Sequence, residues 1–456
     1  MGRTPAFDTP GRTGCVGALS TILLTMIAGI AHGEDSVASS AQPTSGAEWT
    51  FNLDATYGFF GFGNSLYTSP KPGEPSGDLG ARWSEGSIKP AIGGYYTLSN
   101  ASQVYAALSA VGEGTFGAAA SRIGRDMTSV GVEDAYIGWR SGNSLPNLGE
   151  NALDFTIGRA QYKLGHGLIL YDGAAEGGSR GGYWTNARKA FEFAAIGRFK
   201  PGQNTLEAFY LKKDELPEAR SKTALWGVNY EYAFGEDTTL GATYLKFSAD
   251  PALAPQRDGL RVYNLRAYTA PFPNLKALSF EAECVKEDNG DKLNSEAWNA
   301  LVAWQFESGW KPKLSYRYAF FQGDNPATQR NEGFDGLLAG FYDWGSWWQG
   351  EIAGEYFVSN SNLISHQLRL HAKPSDSIGT GFIVYDFKLD KPRALGPQVT
   401  SDDVGQEIDG YLDWSINRHF ILSFVAAAAE PGQAIKQLSG RTGNFIYGMI
   451  FGAYSF

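Results

Sequence analysis

The segment MIFGAYSF (449–456) alternates large apolar residues with small or polar ones and stops on an aromatic. Ile450, Gly452, Tyr454 and Phe456 share one parity, the two-residue period of a strand with one apolar face. Two folds accommodate it. In a soluble sheet protein it is a buried edge strand. In a transmembrane barrel its apolar face meets lipid and the aromatic closes the last strand. The rest of the chain separates the two readings.

The period-two pattern recurs along the sequence. Trp49, Phe51, Leu53, Ala55 and Tyr57 alternate with Thr50, Asn52, Asp54 and Thr56. Similar runs hold Trp226, Val228 and Tyr230; Phe280, Ala282 and Cys284; Trp298, Val302 and Trp304; Leu314, Tyr316 and Tyr318; Trp348, Ile352 and Tyr356; and Ile408, Leu412 and Trp414. One face is apolar and the other is polar or charged, which fits lipid outside and a wet lumen inside. Aromatics cluster at segment ends, as in Tyr95–Tyr96, Tyr230 with Tyr232, and Trp347–Trp348, where interfacial girdles place them. Short connectors (98–101, 200–203, 234–237, 270–274, 415–419) interleave with long polar ones (64–81, 112–128, 162–182, 248–259, 387–406). Short turns on one side and long loops on the other are the barrel pattern. The expected fold is therefore an all-β transmembrane antiparallel barrel of about 18 strands, within a range of about 16–20. Such a barrel is wide enough for an aqueous channel. Nineteen segments qualify as strands, one too many for an even count. Connector sizes alternate correctly up to Phe321 and, with the phase reversed, from Trp347 onward. Either 322–346 hides a further strand, within 333–342, or one earlier candidate is false.

Composition agrees. Among 456 residues, aromatics make up 14% and charged residues only 19%, with 57 glycines. The net charge is −10 and no basic run occurs, so no nucleic-acid partner is indicated. Arg3 and Arg12 precede the apolar stretch 15–31, and Ala31-His32-Gly33 supplies small residues at a cleavage position. Residues 1–33 are read as a signal peptide cleaved after Gly33, the rival being a membrane-anchoring helix, for which the stretch is short. Residues 34–48 are small and polar and are expected to be disordered. A single barrel domain is expected over 49–456. Removal of the signal leaves one cysteine, Cys284, so no intramolecular disulfide can form. With a signal peptide and no long apolar helix, only a closed barrel satisfies every backbone group in lipid. The expected location is the bacterial outer membrane. The expected partners are its lipid, a polar solute, and the barrel-assembly machinery acting on Phe456, with the protein a monomer.

No catalytic grouping emerges. The histidines after the signal are His166, His366, His371 and His419, and none lies in a zinc-protease motif. His366 and His371 are five apart, so on a strand they face opposite sides. The one Gly-x-Ser-x-Gly string, Gly177–Gly181, lacks the strand-to-helix context of a nucleophile elbow, and no cofactor motif appears. GGSRGG (177–182) lacks the strand-then-helix context of a phosphate loop and is read as an outer loop. The informative residues are charges at lumen parity. Basic ones include Lys89, Arg188, Arg198, Arg266, Lys313, Arg317, Arg369 and Lys373. Acidic ones include Glu85, Glu192, Glu231, Glu281, Glu283, Glu351, Glu355, Glu407 and Asp409. An arginine ladder through Arg188, Arg266, Arg317 and Arg369 would ease the passage of an anion. The competing expectation is that these charges pair across strands and merely fill the lumen.

VEDAYIGW (132–139), followed by LDFTIGRAQYKLGHGLI (153–169), resembles a strand pair of the alginate export family of outer-membrane proteins. YRYAFFQGDN (316–325), NEGFDGLLAGFYDWGSWWQGEI (331–352) and GQEIDGYLDWSI (405–416) resemble later parts of the same family. The resemblance implies an 18-stranded barrel that passes an anionic polysaccharide outward through an arginine-rich pore. It carries over Arg159 by motif, although the parity of LDFTIGR points Arg159 outward unless Gly158 is a bulge. Here Ala160 stands between that arginine and Gln161, and the lumen holds as many acids as bases. The pore-lining set is therefore Lys89, Arg159, Arg188, Arg198, Arg266, Arg317, Arg369, Glu281, Glu351 and Glu355. The alternative reading is a nutrient-uptake porin for small polar or anionic solutes.

Overall fold

A computed structural model describes residues 46–65, 80–117, 126–272, 274–340 and 349–456. The signal segment and most of the polar segment after it lie outside these residues. The strands are β1 (Gly46–Gly63), β2 (Ala81–Thr97), β3 (Gln103–Gly117), β4 (Met127–Arg140), β5 (Leu153–Arg159), β6 (Phe193–Phe199), β7 (Asn204–Lys212), β8 (Ala224–Phe234), β9 (Thr238–Ser248), β10 (Arg261–Thr269), β11 (Leu278–Asp288), β12 (Asn294–Gln305), β13 (Lys313–Phe321), β14 (Leu363–Ser375), β15 (Ile378–Lys388), β16 (Asp403–Ser415), β17 (Phe420–Pro431) and β18 (Phe445–Ser455). Each pairs antiparallel with its sequence neighbours, and β1 pairs with β18, so the eighteen strands close into a barrel. Closure removes the sheet edges that hydrocarbon cannot satisfy. Among the described residues no helix is long and apolar enough to cross a membrane.

Alternation sets the outer surface. Trp49, Phe59, Leu265, Phe382 and Ile450 stand exposed on it, as a lipid-facing band requires. β1 begins at Gly46, so Gly46–Glu48, expected in the disordered segment, pair instead with Tyr95–Thr97 of β2. At the seam, Asp54–Gly63 pair with Ile446–Ser455, and Leu53 and Phe456 exchange two backbone hydrogen bonds of 3.0 Å.

The nineteenth candidate is not a strand. Gly350–Phe357 forms a short helix of wide π pitch, here α1, with Ile352, Ala353 and Tyr356 buried. It belongs to one connector between β13 and β14, residues 322–362, which contains no membrane-crossing strand among its described residues. The phase reversal seen in the sequence comes from this false candidate. A second helix, α2 (Gln433–Ser439), lies in the β17–β18 connector.

Two long connectors, 160–192 and the described parts of 322–362, fold into the lumen and meet there. Tyr171 and Asp172 donate backbone N–H groups to the Leu338 carbonyl at 2.9 and 3.0 Å, and Gly340 donates to Gly167 at 3.0 Å. The wall beside them is apolar, contrary to the expected all-polar lumen. Trp184 packs between Phe60 and Phe451, with ring centroids 4.7 and 5.1 Å away, and Tyr356 packs on Phe445 at 5.3 Å. The outer half of the barrel thus encloses a hydrophobic core of its own.

Candidate functional site

The lumenal acids divide into two groups by height. In the outer half they hold the infolded loops by backbone amides. Glu85 on β2 accepts the N–H groups of Trp184 and Thr185 at 2.8 and 3.0 Å. Glu133 on β4 accepts those of Lys189 and Ala190 at 2.6 and 2.8 Å. Glu407 on β16 accepts those of Ile352 and Ala353 at 2.7 and 2.6 Å, and its neighbour Asp409 accepts that of Glu351 at 3.2 Å. Glu287 on β11 accepts that of Asp335 at 3.0 Å. A buried amide left without a partner costs about 1–3 kcal/mol. These wall carboxylates therefore act as fasteners for two loops that would otherwise leave amides unsatisfied inside the barrel.

Salt bridges between connectors add to the fastening. Asp335 in the 322–362 loop takes a two-pronged contact from Arg257, with Nε and Nη2 at 2.6 and 2.5 Å. Burial raises the Asp335 carboxyl, but the Arg257 charge outweighs it and holds the group below the ordinary aspartate value. Asp214, in the β7–β8 connector, bonds Arg159 and Arg180. Burial raises it too, and the hydrogen bonds from Arg180 and Arg159 again bring it below its ordinary value.

The predicted pore residues scatter accordingly. Arg188 is not on a strand. It sits in the 160–192 loop, buried, with its Nε 2.6 Å from Glu113. Gly131 faces it closely enough that an added Cβ would lie 2.7 Å from the Arg188 guanidinium. Arg266 faces inward on β10, but its side chain is fully buried and bonded to Asn229, Thr243, Asn264 and Glu231. Arg317 on β13 is buried 3.6 Å from Glu281 and 3.3 Å from Gln367. Arg159 turns inward because Gly158 takes φ +128°, which breaks the alternation that would have pointed it to lipid. Glu351 and Glu355 lie on α1, not on a strand, so they are not wall residues. The four-arginine ladder is therefore not a continuous exposed track. Three of its members are neutralised within the wall and loops.

The remaining predicted residues do meet. Lys89, Arg198, Arg369 and Glu281 line a cavity of 1790 Å³ that fills the half of the barrel bounded by the short turns. On one wall, Tyr95, Tyr105 and Tyr136 face it beside Arg140, which lies over the Tyr95 and Tyr105 rings at 5.3 and 5.7 Å. The Tyr105 hydroxyl bonds Asp154 at 2.8 Å. Across the lumen stand Lys313, Arg369, His371 and Lys373, with Arg418 and His419 from a short turn at the mouth. Tyr411 backs this wall, 3.2 Å from Arg369 Nε and 2.8 Å from His371 Nδ1. His366 points out instead, 2.7 Å from the Tyr316 hydroxyl, as its spacing from His371 requires.

Several of these residues are not identifiable from alternation. The β3–β4 register shifts between Leu108 and Ala110, so β4 carries a bulge at Glu133–Asp134 and both carboxylates face inward. Beyond the bulge the parity reverses and delivers Tyr136 and Arg140 to the cavity. Tyr95, read as a girdle residue, points inward, and only Tyr96 is on the lipid side.

A family model described as alginate export matches residues 113–449, most of the barrel. The chain belongs to the alginate export family. It is an outer-membrane channel protein and not an enzyme. No curated protein matches it in sequence. Among solved structures it is similar to OccK2 (OpdF) of Pseudomonas aeruginosa, at 14% identity and TM-score 0.57, covering 90% of this chain and 99% of that one. OccAB2 of Acinetobacter baumannii follows at 12% identity and TM-score 0.57, covering 90% and 98%. The outer membrane protein opdK of Pseudomonas aeruginosa has 13% identity and TM-score 0.53, covering 89% and 98%. At these identities the likeness is one of fold.

Proposed function

We propose that this alginate-export-family channel passes an acidic polysaccharide outward by diffusion, receiving it in the cavity on the short-turn side. The observation that carries the reading is the pairing of walls in that cavity. Tyr95, Tyr105 and Tyr136 offer flat apolar faces for sugar rings, while Lys313, Arg369, His371 and Lys373 offer donors and positive charge across the lumen. Carboxylates of the solute are served by Arg369 through paired N–H groups and by the lysines as point charges. The wide end faces the periplasm when the short turns do, so a polymer arriving from that side meets the open vestibule first.

The test is block of single-channel current in planar bilayers by oligouronates and by neutral oligosaccharides of equal length, added to each side. Stronger block by the oligouronates from the short-turn side, weakened in Lys313→Gln/Arg369→Gln/Lys373→Gln, is the expected result. Equal block by both, unaffected by the substitutions, would exclude an acidic solute. The second reading is uptake of small polar or anionic solutes. It is favoured by the infolded loops, which narrow the outer half to a filter for small molecules. Uptake of monosaccharides into liposomes at a rate far above that of oligosaccharides would favour it. We further propose that the protein works as a monomer and that Phe456 engages the barrel-assembly machinery.

A further inference from the structure

Register gathers three basic side chains on the lipid-facing surface near the long-loop rim. Lys246 of β9 is paired with Arg261 of β10, and Lys286 of β11 pairs with Tyr263, two residues along from Arg261. Directly opposed Cβ atoms lie about 4.5–5.5 Å apart and diagonal neighbours about 7–8 Å, so Arg261 is within reach of each lysine and stands between them, an arrangement suited to a ligand with two phosphates. Arg261 and Lys286 are exposed; Asp288, opposed to Arg261 on the strand of Lys286, lies 2.7 Å from Arg261, and Glu296 on the next strand lies 3.9 Å from Lys286. Lys246 is exposed and makes no salt bridge among the described residues.

The surroundings identify the ligand as a lipid. Trp226 is paired with Lys246, and Trp226, Tyr244 and Tyr263 form an unbroken aromatic strip, with ring centroids 5.4 and 5.3 Å apart. Exposed Val228 and Leu265 continue below it into the apolar band. Aromatic rings mark the level where hydrocarbon ends, and cations just above them meet phosphate head groups. Elsewhere on the same rim, outward Arg82 and Lys388 stand without a second cation on a neighbouring strand. We propose that Lys246, Arg261 and Lys286 bind the phosphates of an outer-leaflet glycolipid, with its acyl chains lying along the strip beneath. A free anion would gain nothing from the aromatic and aliphatic surface. A lipid uses both.

The test is native mass spectrometry of the full chain in mild detergent, titrated with bis-phosphorylated lipid A, monophosphorylated lipid A and inorganic phosphate. Lys246→Gln/Arg261→Gln/Lys286→Gln should weaken retention of the bis-phosphorylated lipid about tenfold, because surface cations attract phosphate head groups and the two acids offset part of that attraction. The monophosphorylated lipid should bind the wild type more weakly. Arg82→Gln/Lys388→Gln should leave retention unchanged. Heat-modifiable gel mobility confirms that each variant is folded. Equal retention by the triple variant, equal loss in the control variant, or full displacement by inorganic phosphate would overturn the site.

Discussion

Gly158 decides which way Arg159 points. At φ +128° an L side chain is strained, and a Cβ there would lie 2.4 Å from the Ala135 carbonyl oxygen. Gly158→Val should lower the midpoint of heat-modified gel mobility, reflecting about 1–3 kcal/mol of strain. It should also free Asp214 from Arg159. A midpoint equal to wild type would show that the turn is not required. The sequence flagged this position as the one place where parity and motif disagreed, but alternation alone has no term for a positive φ. Two loop acids respond to pH with opposite signs. Burial, reinforced by the nearby Glu113 carboxylate, holds the Glu176 carboxyl well above its ordinary value. Its protonated form is favoured in the folded loop, so its stabilisation is complete below the unfolded pKa of about 4.3 and is lost as pH rises through the folded value. Asp214, held low by Arg180 and Arg159, stabilises above its unfolded pKa and loses that contribution as pH falls through the folded value. Opening of 160–192, read as the hydrogen-exchange rate divided by the intrinsic amide rate at each pH, should therefore rise from acid toward neutral pH in wild type, and Glu176→Gln should flatten that rise. An unchanged rise in the variant would assign it to another group.

The loops are the elements on which transport turns, and they were the least legible. α1 passed for a strand because Trp348, Ile352 and Tyr356 are spaced by four, a distance that fits both a two-residue and a helical period. The glycines at 350 and 354 between them were the available signal. The acids that fasten α1 were visible at lumen parity, but a sequence does not distinguish a carboxylate facing water from one facing a loop amide. Glu407→Ala/Asp409→Ala removes the acceptors for Glu351, Ile352 and Ala353. Single-channel conductance and current noise should both rise as the 322–362 loop loosens, while gel mobility still reports a closed barrel. Conductance identical to wild type would mean that apolar contacts alone, Tyr356 on Phe445 and Phe334 on Phe321, retain the loop.

At the scale of the whole molecule the reading from sequence was nearly complete, because lipid imposes strict alternation and closure imposes an even strand count. Those constraints bounded the barrel at about 16–20 strands and left nineteen candidates, of which α1 was the false one; the family resemblance implied the eighteen observed. Sidedness is open to direct measurement in a Cys284→Ser background. Ala327→Cys, exposed in the 322–362 loop, should react with a bulky impermeant maleimide on intact cells, and Asn417→Cys in the β16–β17 turn only after permeabilisation. The reverse pattern would invert the barrel. Deleting Phe456 should reduce the amount of protein in the outer membrane without changing the conductance of each channel that forms. In the sequence only the lipid-facing set of β18 matches the expected terminal signature. Yet Phe445, Tyr447, Met449 and Phe451 are as deeply buried inside as Ile446 and Ile450 are displayed outside. The strand that completes the wall thus also completes the packing around Trp184 and Tyr356. Biogenesis couples the two: Trp184 and Tyr356 of the infolded connectors pack on the inner face of β18, so sealing the seam and seating the loops draw on the same side chains. Lateral closure and plug insertion become one cooperative step, and a variant that delays the loops should stall as an unsealed, protease-sensitive intermediate.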